Sequence, residues 1–249
     1  SSDLRAYLYG RNMTWPVVAG QYVELFREVR SQRKSKPQPL QRGLILSEDI
    51  ENLPDFSAKH LLNLTDATGI VQHAKYNIPD YNHGYSLDDQ ARALMLAVRA
   101  SISRPENIDW NLLITRYMSF LLYAFDEHTG RFRNFLKYTR EWIESRGDLS
   151  SEDTHGRAIL ALGYVVAHYE VDNTRNLAIY FMEKCMPAVL SFKSPRAWAY
   201  TLIGIQMYLQ SFGGAVTFRT ERQELAERLF RLFRDVSGPD WQWCEDSLT

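Results

Sequence analysis

The sequence has few cysteines and no long apolar run, and both shortages limit what the chain can be. Only Cys185 and Cys244 occur in 249 residues, and their positions match neither a metal-ligand spacing nor a disulfide framework. No apolar stretch is long enough to span a bilayer, and no signal peptide is recognisable. We therefore expect a cytoplasmic chain with no membrane span, no metal site and no cofactor.

Charge of a single sign is also scarce. The 29 Lys and Arg residues nearly balance the 30 Asp and Glu residues, and the longest basic patch runs only from Arg30 to Lys36. A nucleic-acid partner is not expected, because it would require a clustered basic face. What the chain does have is a hydrophobic content of 45% and an aromatic content of 13%, typical of a globular protein. Those aromatics suit either a sugar-stacking surface or the core of a helical protein.

Apolar residues recur at helical spacing along most of the chain. A first helix is predicted from Trp15 to about Arg30, followed by a polar linker from Ser31 to Pro39 with two prolines. Residues 131–143 alternate between apolar and charged side chains and predict one short β-hairpin. Seven further helices are predicted, over residues 53–64, 87–100, 110–125, 158–169, 173–189, 194–209 and 221–236.

This succession predicts an all-α fold built from helical hairpins. In each pair one helix is apolar all round and the other is more amphipathic, so the hairpins bury a core only by stacking on neighbours or by closing into a ring. We therefore expect a partial or complete (α/α) toroid.

Four polar segments lead into helices that are expected to be interior. They are rich in Asp, Glu, Arg, His or Trp, and they are Asn82–Asp89, Ser150–Arg157, Ser194–Arg196 and Trp241–Asp246. If the hairpins form a ring, all four segments meet at one mouth. Helix N-termini, which carry partial positive charge and unpaired N–H groups, then point into that mouth.

Carboxylates converging at such a mouth suit carbohydrate chemistry. Glycoside cleavage uses two carboxyl groups that flank the scissile bond, and the preferred catalytic candidates are Asp89, Asp153 and Glu245. Polar and aromatic side chains around them would bind sugar hydroxyls and stack on sugar rings. The substrate-binding candidates are Asp66, Tyr85, Asp88, Glu152, His155, Arg157, Arg196, Trp198 and Trp243.

Each candidate also has a purely structural interpretation. An acid before a helix most often serves as its cap, and Arg157 or Arg196 could bridge carboxylates in a closed ionic network without activity. His155 could be a proton shuttle, a metal ligand or a loop anchor, with the anchor favoured. His73 and His83 lie on loops near the same mouth, but their spacing supports no metal site.

Residues 9–29, YGRNMTWPVVAGQYVELFREV, resemble the closing helix of retaining GT-B-fold glycosyltransferases of the large family-4 type. Those chains often end with a Trp, a small residue and a Tyr on a final helix. The resemblance implies that residues 1–36 are the terminal helix and linker of an upstream glycosyltransferase, which would be a partner in the same chain. None of the transferase's donor-binding residues would then lie in this sequence.

The segments NHGYSLDDQARAL, SSEDTHGRAILALG, SPRAWAYTLIGI and WQWCEDSLT together resemble the helical domain fused behind glycosyltransferases in many bacterial chains. That domain is similar in build to the six-hairpin (α/α) toroids of glycosidases, unsaturated-uronyl hydrolases and sugar epimerases. The resemblance covers residues 44–249 and implies acids at inner-helix starts, at Asp89, Asp153 and Glu245. The predicted helices fall short of a full ring, so we expect a domain truncated at its C-terminus.

Three functions remain open from the sequence. The first is a carbohydrate-active toroid domain, resembling a glycoside hydrolase if active, with an oligosaccharide or polysaccharide at the mouth. The second is a non-catalytic accessory or glycan-binding domain that supports the upstream transferase. The third is a structural or oligomerising helical repeat without an acidic pocket. The geometry of the carboxylates distinguishes the three functions. Glycoside cleavage would require two carboxylates without ionic or hydrogen-bond partners, about 5–10 Å apart in one cleft.

Overall fold

The computed structural model describes residues 14–35, 56–103, 108–143 and 151–237, and the chain divides into two compact units, residues 1–56 and 57–249. In the first unit, helix α1 spans Trp15–Ser35. The predicted linker is therefore wrong over its first residues. Gln, Arg and Lys are good helix formers, and Gln32 donates a hydrogen bond to Glu28 one turn earlier, so polarity alone does not end the helix.

The second unit contains seven α-helices and six short strands among its described residues. The N-terminal elements are α2 (Lys59–Leu64), β1 (Ala74–Lys75), β2 (Ile78–Pro79), a 3₁₀ turn (Tyr81–His83), β3 (Tyr85–Ser86), α3 (Leu87–Ser103) and α4 (Trp110–Ala124). There follow β4 (Phe125–Asp126), β5 (Arg131–Phe132), β6 (Phe135–Leu136), α5 (Glu152–His168), α6 (Asp172–Val189), α7 (Pro195–Ser211) and α8 (Val216–Val236).

The strands form three antiparallel pairs that shape the loops rather than a central sheet. β1 pairs with β2, β4 pairs with β5, and β3 pairs with β6. The last pair sets Tyr85 opposite Leu136, and Leu136 also bridges to Trp142. The predicted β-hairpin is confirmed, and it extends further than the sequence indicated, because the 125–143 connection also pairs with the strand before α3.

The helices form a two-layer array of hairpins, as predicted. Helices α3, α5 and α7, the inner helices, pack side by side in one layer. Helices α4, α6 and α8 form the outer layer and pack against α3, α5 and α7 respectively. The core lies between the layers and is filled by side chains such as Leu94, Ile114, Leu162 and Phe181. None of the described helices is long and apolar enough to cross a membrane.

Helix α4 differs from its predicted place in the interior. It lies in the outer layer, where Leu112, Leu122 and Tyr123 are each about half exposed. An apolar sequence on every side of a helix indicates burial only when neighbours cover every side, and α4 is covered on one face.

Two of the three inner helices described begin where their caps predict, and one does not. Ser194 accepts from the backbone N–H of Ala197, with Pro195 in the first turn, as expected for α7. Ser86 likewise accepts from the N–H of Asp89 at the start of α3. Helix α5, however, begins at Glu152 behind the cap Ser151 rather than near residue 158. The polar segment is therefore the first turn and a half of the helix.

Glycines bring α5 and α7 into direct backbone contact. A Cβ added to Gly163 would lie 2.3 Å from the carbonyl oxygen of Gly204, and one added to Gly204 would lie 2.6 Å from that of Ile159. At Gly156 the obstacle is the Ala197 carbonyl, 2.8 Å away. Because these obstacles are backbone atoms, a larger residue cannot be accommodated by a rotamer change.

We predict that Gly163→Ala lowers the free energy of unfolding by about 2 kcal/mol, because the overpacking between α5 and α7 outweighs the higher helix propensity of alanine. Chemical denaturation monitored by circular dichroism measures the change. Gly214→Ala is the matched control, since nothing lies within 4 Å of its Cβ position. Equal stability of the two variants would contradict the close approach.

Candidate functional site

The starts of α3, α5 and α7 lie together at one end of the array. A side chain of α5 binds a carboxylate in the first turn of α3, and another binds a backbone N–H group at the start of α7. Three of the four predicted helix-start segments therefore meet. The fourth, Trp241–Asp246, lies outside the described residues, together with the candidates Glu245 and Trp243.

Arg157 joins all three inner helices. Its Nε donates to Oδ1 of Asp88 on α3 at 2.9 Å, and its Nη2 donates to the hydroxyl of Tyr200 on α7 at 2.9 Å. The guanidinium carbon also lies 4.5 Å from the centre of the Tyr200 ring. Asp88 has a second, longer ionic contact of 3.4 Å with the more exposed Arg92.

Glu152 and Asp153 bind the start of the neighbouring helix α7. One oxygen of Glu152 accepts from the backbone N–H groups of Lys193 and Ser194, at 2.7 and 2.6 Å. Asp153 accepts from the Ser194 hydroxyl and pairs with Arg196 at 3.3 Å. Both acids thus satisfy polar groups at a helix N-terminus, where negative charge is favoured.

Asp89 and Asp153 have separate partners. Its carboxylate accepts from the Ser86 hydroxyl and lies 3.4 Å from Arg92. It lines a shallow pocket of about 270 Å³ between α2 and α3, whose other walls are mostly aliphatic. The contacts of Asp153 are with α7, on the far side of α5. Within the described part of the chain, no contact joins these two candidates, and their catalytic role stays a prediction.

Asp66 and Tyr85 form a partly buried hydrogen-bonded pair ahead of α3. Asp66 accepts from the N–H groups of Thr68 and Gly69, and from the Tyr85 hydroxyl at 2.6 Å. Tyr85 is only 1% exposed, and burial together with the Asp66 carboxylate raises the pKa of its phenol. Its hydroxyl is therefore a fixed donor to Asp66 at neutral pH.

His155 is an interior residue rather than part of the mouth surface. It is completely buried, its Nε2 donates to the Cys185 carbonyl at 3.3 Å, and its ring meets Phe192 edge-on. Burial lowers the pKa of the imidazole from 6.5 to about 4, so the ring is neutral at physiological pH. Of the interpretations open from the sequence, these contacts fit the anchor.

The remaining described candidate, Trp198, is half-buried, and its Nε1 donates to the Phe192 carbonyl at 2.9 Å. His73 and His83 are close, with ring centres 4.4 Å apart. Among the described residues, however, no group of three or more His, Cys, Asp or Glu side chains could hold a metal ion.

Exposed aromatic rings near the same end of the array were not predicted as site residues. Tyr81 and Tyr138 stack with ring centres 4.3 Å apart, and each is nearly half exposed. Tyr138 also stacks over Tyr85, directly before α3. The stacking of Tyr81 on Tyr138 depends on the pairing of strands β3 and β6, which local sequence does not indicate. The hairpin predicted over residues 131–143 was the one sequence signal that pointed to this region.

Two open spaces accompany these features. A pocket of about 290 Å³ lies at the C-terminal turns of α4, with Tyr123 and Arg140 in its wall. A larger groove of about 960 Å³ runs between α7 and α8, but it contains none of the predicted site residues. Although it is the larger space, we therefore do not assign the candidate functional site to this groove.

No protein-family model matches the chain, and comparison with curated proteins finds no match. Among solved structures the chain is similar to a polysaccharide lyase, with 14% sequence identity and a TM-score of 0.47. The similarity covers 65% of this chain and 51% of the lyase chain.

We predict that Arg157→Met lowers the free energy of unfolding by about 1–3 kcal/mol, because the half-buried Asp88 and Tyr200 lose their shared partner. Arg92→Met should change it by less than about 1 kcal/mol, since Arg92 contacts the same carboxylate from an exposed position. Urea denaturation of both variants measures the difference. Equal losses of unfolding free energy in the two variants would show that the contacts of Arg157 between helices add no stability beyond that of an exposed ion pair.

The buried imidazole predicts a loss of stability in mild acid. Because the folded pKa of His155 is below its unfolded value, its contribution is present above pH 6.5 and is lost as the pH falls towards about 4. The loss should be on the order of 3 kcal/mol. Denaturant titrations between pH 7 and pH 4 should show a shallower dependence for His155→Gln than for the exposed control His128→Gln. The same pH dependence in both variants would contradict this assignment.

Proposed function

We propose that residues 57–249 form an oligosaccharide-binding domain that holds a glycan at the end of the array where α3, α5 and α7 begin, without cleaving it. The observation that carries the proposal is that all five described candidate carboxylates, Asp66, Asp88, Asp89, Glu152 and Asp153, already accept hydrogen bonds or form ion pairs. Each of these five carboxylates therefore has partners, and none of them is an unpaired acid or base.

The stacked rings of Tyr81 and Tyr138 support a sugar as the ligand. Sugar-binding surfaces combine flat apolar faces with fixed donors and acceptors, and the two exposed tyrosines provide such a face. Tyr138 rests on Tyr85, which donates to Asp66, so the platform is tied to the loops before α3. A platform held by this contact loses little conformational entropy on binding.

We predict that Tyr138→Ala weakens oligosaccharide binding by about tenfold, because it removes an exposed aromatic anchor. A glycan array on the 249-residue chain would first select the ligand, and titration calorimetry would then compare the variants. The control is Tyr76→Ala, because Tyr76 is 99% exposed. Absence of any glycan binding, or equal effects of the two variants, would overturn the proposal.

Hydrolysis is the alternative outcome of the same experiment. The selected oligosaccharide should remain intact after incubation with the chain, as judged by mass spectrometry. Shorter products that form with the unmodified chain and disappear with a folded Asp153→Asn variant would instead support a glycoside hydrolase. That result would assign an acid–base role to a carboxylate now paired with Arg196.

The proposal extends to the N-terminal unit as the closing helix of an upstream glycosyltransferase, whose acceptor glycan the helical array would hold. Its support is the resemblance of residues 9–29, together with the exposure of Trp15 and Phe26 on α1, 80% and 65%. A chain extended upstream should protect the amides of α1 from hydrogen exchange. Equal exchange with and without the upstream sequence would argue against this part of the proposal.

A further inference from the structure

The pocket at the C-terminal turns of α4 combines aromatic walls, hydroxyl groups and one cation. Phe120 and Tyr123 are the aromatic residues of its lining, Ser119 and Thr68 carry hydroxyls, and Arg140 is the cationic residue. Its volume of about 290 Å³ is at the small end for ligand sites, so it suits one sugar-sized ring rather than a longer chain. None of these five residues belongs to the Asp88–Arg157–Tyr200 network.

Arg140 occupies a backbone conformation that arginine rarely adopts. Its φ is +65°, in the left-handed region that favours glycine. The tight turn from Lys137 to Glu141 imposes this conformation, with the Arg140 N–H donating to the Lys137 carbonyl at 2.9 Å. The Tyr123 hydroxyl donates to the Arg140 carbonyl at 3.3 Å and thereby joins the turn to α4. Neither bond uses the Arg140 side chain, so neither explains why arginine occupies this position.

None of the carboxylates in the described part of the chain neutralises the charge of Arg140. Lys137, in the same turn, pairs with Glu141 at 3.1 Å, and Arg133 lies over the Trp142 ring. Asp66, two residues before Thr68 in the pocket wall, already accepts from two backbone N–H groups and from Tyr85. The nearby charged groups of the described residues are thus paired with one another, whereas Arg140 lines the open pocket.

We propose that this pocket binds the anionic substituent of a single sugar residue, with the anion on Arg140 and the sugar ring against Tyr123. Arginine binds carboxylate, sulfate and phosphate groups through paired, charge-assisted hydrogen bonds, and these share the required geometry. The inference refines the proposed glycan-binding function, on which it rests, by adding a subsite for an acidic residue beside the tyrosine platform.

The test is titration of the 249-residue chain with glucuronate, glucose 6-phosphate, glucose 6-sulfate and glucose, followed by NMR chemical shifts. The anionic sugars should bind at least about tenfold more tightly than glucose, and added NaCl should weaken that binding. The strongest of the three anions identifies the substituent. Glucose binding as tightly as all three would overturn the inference.

The decisive variant is Arg140→Gly, which relieves the left-handed backbone and removes the cation. It should lose the preference for anionic sugars while unfolding at the same or a higher temperature. Tyr76→Gly is the matched control, because Tyr76 has a φ of +60° but does not line the pocket. It should gain stability in the same way and keep the anion preference. Arg140→Gln removes the charge without the backbone change, so it should also lose the preference.

The outcomes separate this inference from the broader function. The subsite alone would be overturned if oligosaccharide binding depends on Tyr138 but Arg140→Gly leaves the binding of anionic sugars unchanged. Absence of all oligosaccharide binding would overturn the proposed function, whereas a retained Arg140-dependent preference for anionic monosaccharides would still support the pocket.

Discussion

The backbone contact between α5 and α7 is the constraint on which the rest of the array depends. Gly163 and Gly204 let the two helices approach until a single added methyl group would strike a carbonyl oxygen. At that separation, short side chains such as those of Asp153 and Ser194 reach across between helix starts. The polar surface at this end therefore follows from small residues buried further along the same helices.

Arginine and acidic residues then fix the orientation of the inner helices. Arg157 lies between a carboxylate of α3 and a hydroxyl of α7, so all three helix starts have a defined spacing. A partly buried network of this kind contributes less stability than apolar packing of the same volume, but loss of one member leaves the others without partners.

Local signals in the sequence predicted the hairpin array and many of its helix boundaries. Ser194-Pro195 and Ser86 act as helix starts because a cap involves only neighbouring residues. The start of α5 was misplaced because Glu152–Arg157 carry polar side chains whose partners lie on other helices. Likewise, nothing local indicates that Arg157 meets Asp88 or that Tyr81 stacks on Tyr138, since both contacts depend on how distant elements pack. The sequence could therefore predict that polar residues lie at the starts of α3, α5 and α7, but not which partners they have.

Glu152 links the stability of successive hairpins. In many repeat proteins each hairpin contributes its own stability plus a contact with its neighbour, and unfolding can spread from one end. Here Glu152 on α5 accepts from the backbone N–H groups of Lys193 and Ser194, and Ser194, the N-cap of α7, donates its hydroxyl to Asp153 on α5. Fraying of either helix start therefore removes hydrogen bonds from the other. These shared hydrogen bonds between the two helix starts favour cooperative unfolding of the two hairpins over stepwise loss from the edge.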